Sequence, residues 1–298
     1  MTFKQLEALY WVAHLGGFAA AASRLHTTQS AISKRIQELE AVFNTQLFDR
    51  GQRSARLTEK GEELFLLSKQ LLQQRDAAIE QFSLPEVVQR RLRLGVTELT
   101  AMTWLPKLVR AIQERYPKVI IEPDIDLSLD LKNKLLNDEL DLIVIPDVFE
   151  DPRLLSKQLL RVESNWMCSP LLLNSTKKMG LKDLVKHRLL IQGEKSGTGI
   201  LYDRWFKSLG LELPSTTRTN NMIALIGMTV AGLGCSYLPR ECLSSYVASG
   251  ALAIMNIKPA LPSVPYVALQ RREHPSILID SVITLAEECC DFTKMFST

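Results

Sequence analysis

From Phe3 to Phe82 apolar positions recur at helical spacing, and beyond Arg91 they give way to short unbroken apolar runs. The chain therefore reads as two differently built parts. Phe3, Leu6, Leu9 or Tyr10, and Ala13 mark a first amphipathic helix. The alanine-rich piece Phe18 to Leu25 predicts a short second helix whose backbone another helix can approach closely. His26-Thr27-Thr28 reads as a tight polar turn, and either threonine can cap the next helix by accepting a backbone N–H. In that helix Ile32, Ile36, Leu39 and Phe43 make one apolar seam, and at about 100° per residue Ser30, Ser33, Lys34 and Gln37 fall on the other side. A long helix follows from Thr58 to Phe82. Leu64, Leu71 and Ala78 recur there at intervals of seven with Leu67 and Phe82 beside them, a stripe that predicts a partner helix. Pro85 stops it, and Ser83 to Arg91 reads as a hinge.

After Arg91 the pattern becomes strand, helix, strand, helix, strand: Leu92–Thr97, a helix from about Thr103 to Tyr116, Val119–Asp126, a helix through Leu140, and Asp141–Pro146. Buried runs alternating with helices imply a parallel sheet in an α/β fold. A second round includes Trp166-Met167, a helix near Leu181 to Lys186, the strand Arg188 to Gln192 and a helix around Leu201 to Leu209. The segments Asn221 to Val230 and Gly232 to Pro239 follow, and then a returning strand Pro265 to Arg271 and a closing helix Ile277 to Phe292.

Charge alters this picture locally. The 298 residues carry a net charge of only +3, but between Arg24 and Thr58 six basic residues face three acids, Glu38, Glu40 and Asp49. A compact basic patch of this kind suits phosphate contact. Gln29 lies in the first turn of the third helix, where it can pair bidentately with adenine, and Ser or Lys beside it can reach base edges or phosphate. The two helices thus read as a helix-turn-helix aimed at the major groove. Leu47 to Thr58, with Arg50, Arg53 and Arg56 and no acid after Asp49, reads as a hairpin reaching the DNA backbone or minor groove. The candidate DNA contacts are Thr28, Gln29, Ser30, Ser33, Lys34, Arg35, Arg50, Arg53 and Arg56.

These residues carry a resemblance. AAxxL (Ala21, Ala22, Leu25), TQSAIS (Thr28 to Ser33), LE (Leu39, Glu40), LFDR (Leu47 to Arg50), and LT with a glycine (Leu57, Thr58, Gly61) together resemble the winged helix-turn-helix of LysR-type transcriptional regulators. Ser30 stands where that family most often has proline. The resemblance extends over the whole chain and implies a fold: an N-terminal all-α winged helix-turn-helix, then an α/β effector domain of the type 2 periplasmic-binding-protein fold with two subdomains. It implies residues 1–58 for DNA binding, 59–90 for a linker and dimerisation helix with hinge, and 91–298 for effector binding. Subdomain I takes about 91–161 plus 265–298, and subdomain II about 162–264. The family dimerises through the linker helix, here Leu64, Leu67, Leu71, Ala78 and Phe82, and its behaviour implies homodimers and tetramers on promoter DNA, with a small effector resetting the geometry.

That effector is expected between the two subdomains, where loops at strand ends meet helix N-termini. Thr97, Glu98 and Thr100 at the first strand end, Ser128 after the second, Ser196, Gly197 and Thr198 in GEKSGTG, and Asn221 before GLGCSYLP are the candidate contacts. Hydroxyls and free N–H groups at helix starts suit a carboxylate. Glu98 opposes a purely anionic ligand and points equally to an amino- or hydroxyl-bearing one, such as an amino acid, or to solvent exposure. Catalysis is not expected. GEKSGTG misplaces the lysine of a P-loop, GLGCSY has Tyr237 where a dinucleotide fingerprint needs Gly or Ala, and neither HExxH nor GxSxG occurs. Five cysteines without paired spacing predict neither a disulfide framework nor a metal site, and no cofactor is expected. Glu7, His14 and the periodic N-terminus do not form a signal peptide, and with no apolar run of about 18 residues the expected location is the cytoplasm. The competing reading is a cytoplasmic ligand-binding or redox-sensing protein, with Cys235 and Cys242 as a peroxide-sensing pair and the N-terminal module making other contacts.

Overall fold

The computed structural model describes residues 1–49, 55–82, 85, 88–172, 178–213, 216–273 and 276–296. It divides into two compact units, Met1–Ser83 and Leu84–Thr298.

The first unit holds α1 (Phe3–His14), α2 (Phe18–Arg24), α3 (Gln29–Phe43) and α4 (Glu59–Phe82). Thr2 and Gln5 form a reciprocal capping box at the start of α1. Leu6, Leu9, Val12, Ala21, Ala22, Ile32, Ile36 and Leu39 fill one core. Phe43, placed in the α3 seam by periodicity, is instead 46% exposed. Helix α3 ends in the next residue, Asn44, which is left-handed at φ 48°, and the inward position is taken by the buried Glu40. The Glu40 carboxylate accepts from the Leu47 N–H at 2.8 Å, which pins the chain as it leaves α3. Phe48 and Leu57 then bridge antiparallel, and the Asp49 N–H donates to the Arg56 carbonyl at 2.9 Å. These contacts form the base of the expected hairpin. Arg50 and Arg53 lie outside the described residues.

The second unit begins with β1 (Arg91–Val96), α5 (Glu98–Met102), α6 (Leu105–Arg115), β2 (Ile120–Ile125), α7 (Ser128–Leu136), β3 (Leu142–Pro146) and β4 (Leu154–Val162). It continues through β5 (Ser164–Cys168), β6 (Met179–Gly180), α8 (Leu181–Leu184), β7 (Leu189–Gln192), α9 (Gly197–Ser208), β8 (Thr216–Thr219), α10 (Met222–Val230) and β9 (Cys235–Pro239). It closes with α11 (Ser244–Ala248), β10 (Ala253–Ile254), β11 (Ile257–Lys258), β12 (Val264–Arg271) and α12 (Ile277–Cys289). One five-stranded sheet has the order β2-β1-β3-β12-β4 and a second β10-β5-β9-β7-β8, and β11 and β6 form a small two-stranded sheet. Strands β1, β2 and β3 are mutually parallel where paired, as are β7, β8 and β9, whereas β12 and β5 run antiparallel to their neighbours. The chain leaves the first sheet at Val162 and enters the second at Ser164, then returns at Val264. Two α/β lobes joined by two crossings result.

Three local departures from the sequence pattern have physical causes. The helix expected from Thr103 starts earlier and is broken: α5 ends at Met102 and α6 restarts at Leu105, because Pro106 lacks an N–H and its ring displaces the carbonyl four residues back. GEKSGTG is not a loop throughout. Ser196 caps α9, accepting from the Gly199 N–H, so the helix begins at Gly197. Strand β4 gave no sequence signal because it is an exposed edge with only its two ends buried.

Candidate functional site

In the first unit the polar face of α3 is built by its seam. Burying Ile32, Ile36 and Leu39 leaves Thr28, Gln29, Ser30, Lys34 and Gln37 exposed and Ser33 and Arg35 half-buried. The Thr28 hydroxyl accepts from the Ala31 N–H at 3.2 Å and meets the Ser30 hydroxyl at 3.0 Å, so the helix start is capped with Gln29 in its first turn. Arg56 is exposed at the base of the hairpin. Arg24, counted in the basic patch, lies over the Trp11 ring at 4.5 Å.

The seven-residue stripe on α4 is divided rather than presented to one partner. Leu64 and Leu71 pack on the unit's own core with the buried Leu72, and Phe65 stacks on Tyr10 at 5.6 Å. Helix α4 lies along α1, tied also by Arg75 to Glu7 at 2.6 Å. Leu64 and Leu71 are therefore turned inward by core packing, whereas Leu67, Ala78 and Phe82, with Leu66 and Ile79, face outward and Phe82 is 85% exposed.

In the second unit a cavity of about 280 Å³ opens between the lobes. Thr97, Glu98, Ser128, Ser196, Thr198 and Asn221, distant in sequence, all line it. The remaining wall is supplied by Leu99, Ile125, Asp126, Leu127, Pro146, Gln192, Asn220, Met222 and Tyr266. Most of these positions sit at the C-terminal ends of parallel strands or the first turns of α5, α7, α9 and α10, so four positive helix ends converge here. The lobes are tied across the cavity by hydrogen bonds. The Gly197 N–H donates to Ser128 Oγ at 3.0 Å, the Leu129 N–H to the Lys195 carbonyl at 3.1 Å, and the Met222 N–H to Glu98 Oε2 at 2.6 Å. Asn221 Nδ2 adds a bond to Glu98 Oε1 at 3.2 Å.

Two expected contacts do not reach the cavity. Thr100 is fully buried on the inner side of α5. Gly197 is enclosed behind the wall, where an added Cβ would stand 2.8 Å from Pro146 and 2.9 Å from Ser128 Oγ. Burial holds Tyr266 up to about 12, and its hydroxyl meets Thr97 Oγ1 at 3.4 Å. Asp126 is partly desolvated, which opposes ionisation. Hydrogen bonds from Lys134 at 2.8 Å and the Leu127 N–H at 2.8 Å outweigh this and hold it below the usual carboxylate range. Ile125, Asp126, Pro146 and Gln192 were findable from the sequence, since each ends or follows a predicted parallel strand. Tyr266 gave no such signal, because β12 enters antiparallel from the far end of the chain.

Residues 3–62 match the bacterial regulatory helix-turn-helix family of LysR type, and residues 85–290 match the LysR substrate binding domain. The chain belongs to the LysR family of transcriptional regulators. Among LysR relatives, MetR of Escherichia coli K12 is 27% identical over 290 residues, spanning 97% of this chain and 90% of MetR. SoxR of an Arthrobacter strain is 23% identical over 273 residues, 92% of each chain. A full-length OxyR variant from Pseudomonas aeruginosa superposes with a TM-score of 0.72 at 20% identity over 100% of this chain and 98% of that one. CbnR in complex with its target DNA does so at 0.53 and 21% identity, over 97% and 100%.

As a LysR-type regulator the protein joins a helix-turn-helix DNA-binding domain to an effector-binding domain and is not an enzyme. No helix among the described residues is long and apolar enough to cross a membrane. The competing redox reading paired Cys235 with Cys242, and the structure gives the two thiols different neighbours. Cys235 opens β9, which pairs with the strand β5 that ends at Cys168, whereas Cys242 donates to the Pro239 carbonyl at 3.7 Å. All five cysteines are buried, and burial pushes Cys242 up to about 12. Both are free thiols.

Proposed function

We propose that α3 enters the major groove of promoter DNA, with Gln29, Ser30 and Ser33 at base edges and Thr28, Lys34, Arg35 and the hairpin arginines Arg50, Arg53 and Arg56 at the backbone. The observation that carries this reading is the capped start of α3, which leaves Gln29 and its polar neighbours exposed on the face opposite the buried seam. Residues 1–58 form the DNA-binding part, 59–90 the linker and 91–298 the effector part, and the protein acts in the cytoplasm on the chromosome. LysR regulators bind DNA and small-molecule effectors and oligomerise. Here the outward row of α4, Leu67, Ala78 and Phe82, serves dimerisation, and pairs of dimers form a tetramer. The effector occupies the cavity between the lobes, and a change in lobe closure alters the arrangement of dimers on the DNA.

The test is selection of preferred sites from random duplexes, followed by titration of the enriched site at several salt concentrations. Gln29→Ala should relax the preference at one base pair by about 1–3 kcal/mol and leave the others intact. Lys34→Ala should instead weaken all sequences equally and lower the salt slope by about 0.9. A uniform loss across all sites for Gln29→Ala would rule out base reading by that side chain.

A further inference from the structure

Helix α10 (Met222–Val230) would ordinarily present free N–H groups to the cavity and attract an anionic ligand. In this chain that place is already taken. Glu98, from the opposite lobe, sets Oε2 2.6 Å from the Met222 N–H and Oε1 3.2 Å from Asn221 Nδ2, while Asn221 Oδ1 accepts from the Ala224 N–H at 2.7 Å. A carboxylate of the protein itself thus sits where a ligand carboxylate would bind. A second carboxylate, Asp126, lines the same cavity, and no Lys, Arg or His side chain is among the residues lining it. Asp126 is matched by Lys134 at 2.8 Å, but the partners that hold Glu98 are an amide N–H and a side-chain amide, both neutral. An ionised carboxylate has about four acceptor positions, so two such bonds leave Glu98 able to take more.

We propose that the cavity selects an effector bearing a primary ammonium group, an amino acid or amine, and that Glu98 is the residue that sets this choice. The assignment rests on reading the cavity as the effector site. The ammonium pairs with Glu98 and Asp126, and a ligand whose only charge is a carboxylate is disfavoured by like charge and by the occupied start of α10. Apolar wall from Leu99, Ile125, Leu127, Pro146 and Met222 receives the rest of the ligand. Because Glu98 reaches across the lobes, the group that recognises the ammonium is also the one that ties the lobes together, which couples binding to closure.

The experiment uses the purified full chain and matched trios of small probes, each an L-amino acid, its des-amino carboxylate and its decarboxylated amine, across several side chains. Binding is read by thermal shift at about 10 mM and by calorimetry for the hits. The expected result is that every hit carries the amino group. Glu98→Gln, which keeps one acceptor oxygen for the Met222 N–H but no charge, should weaken the hits about tenfold or more, a loss larger than the small drop in unliganded melting that giving up the Asn221 bond produces. Glu98→Ala should newly admit the des-amino carboxylates. The proposal is overturned if carboxylates bind wild type as well as the amino acids do. It also falls if Glu98→Gln leaves the hits unchanged, or if no amino-bearing probe binds. Thr198→Trp, which fills the cavity, separates these failures from a failure of the site itself: hits of the wrong chemistry that it abolishes keep the cavity as the effector site, and hits that survive it do not.

Discussion

Gly61→Ala is expected to destabilise the N-terminal unit strongly and weaken DNA binding while the stability of the C-terminal unit is unchanged. The first turn of α4 runs against the backbone leaving α3. Thr58 holds it there: its hydroxyl donates to the Gln46 carbonyl at 2.8 Å and accepts from the Gly61 N–H at 3.0 Å, and its N–H donates to the Leu47 carbonyl at 3.0 Å. A Cβ on residue 61 would stand 2.1 Å from that Leu47 carbonyl oxygen, inside any permitted contact, and the neighbour is backbone rather than a side chain that can swing away. Relief requires moving α4 off the core, at a cost of about 3 kcal/mol or more. The better helix propensity of alanine returns only about 1 kcal/mol. A unit of this size commands roughly 4–12 kcal/mol in total, so the loss is a large part of its stability. Calorimetry should show the transition of the N-terminal unit falling while the other holds. Gly227→Ala is the control: it is also a helical glycine, but its added Cβ meets nothing, so the C-terminal unit should gain about 0.5–1 kcal/mol. Equal behaviour of the two variants would show that close approach at Gly61 is not the constraint.

The same residues show how far the sequence could be read. Gly61 and Glu40 belong to the motif that marked the family, and the structure supplies their reasons: one permits backbone contact with Leu47, and the other holds the Leu47 N–H. Helices of the N-terminal unit were legible because their signals are local, a 3.6-residue period and a capping side chain within three residues of its target. Phe43 broke the reading because the helix turns left-handed immediately after it, which periodicity does not register. In the C-terminal unit the buried parallel strands announced themselves, and the edge strand β4 did not. Candidate cavity residues were found where a hydroxyl followed a strand. Glu98 was singled out as odd, but its partner is the amide of Met222, 124 positions away, and no local pattern carries that pairing. Tyr266 is likewise delivered by a strand from the opposite end of the chain. What stayed illegible is what tertiary contact alone decides.

Arg271→Met is expected to lower the melting transition of the C-terminal unit by roughly 10 °C without changing effector affinity by more than about twofold. Arg271 ends β12, which runs antiparallel, so it lies at the edge of the sheet where β1 and β3 begin, away from the strand ends that line the cavity. Its side chain is 12% exposed and donates to the Leu140 carbonyl at 2.7 Å and to the Leu135 carbonyl, while pairing with Asp138. Asp138 is left-handed at φ 65°, and the turn from α7 into β3 depends on these contacts and on Arg93, which grips Asp141 at 2.6 Å. Methionine fills the space but removes the near cation from a nearly buried carboxylate, which keeps Arg93 at 3.7 Å, and takes a donor from the Leu135 and Leu140 carbonyls. Breaking one side of such a network costs about 3–5 kcal/mol, because the partners stay desolvated. Asp138→Asn in the same chain should recover part of the loss by removing the charge that Arg271 balanced, giving a double-mutant coupling of about 1 kcal/mol or more. A shift below about 2 °C for the single variant would mean that solvent already screens the network. A large shift that also weakens effector binding would mean that the two edges of the sheet are not independent. The expected separation follows from the parallel β1–β3 layout: strand starts carry stability, and strand ends, freed from that task, line the cavity with Thr97 and Glu98.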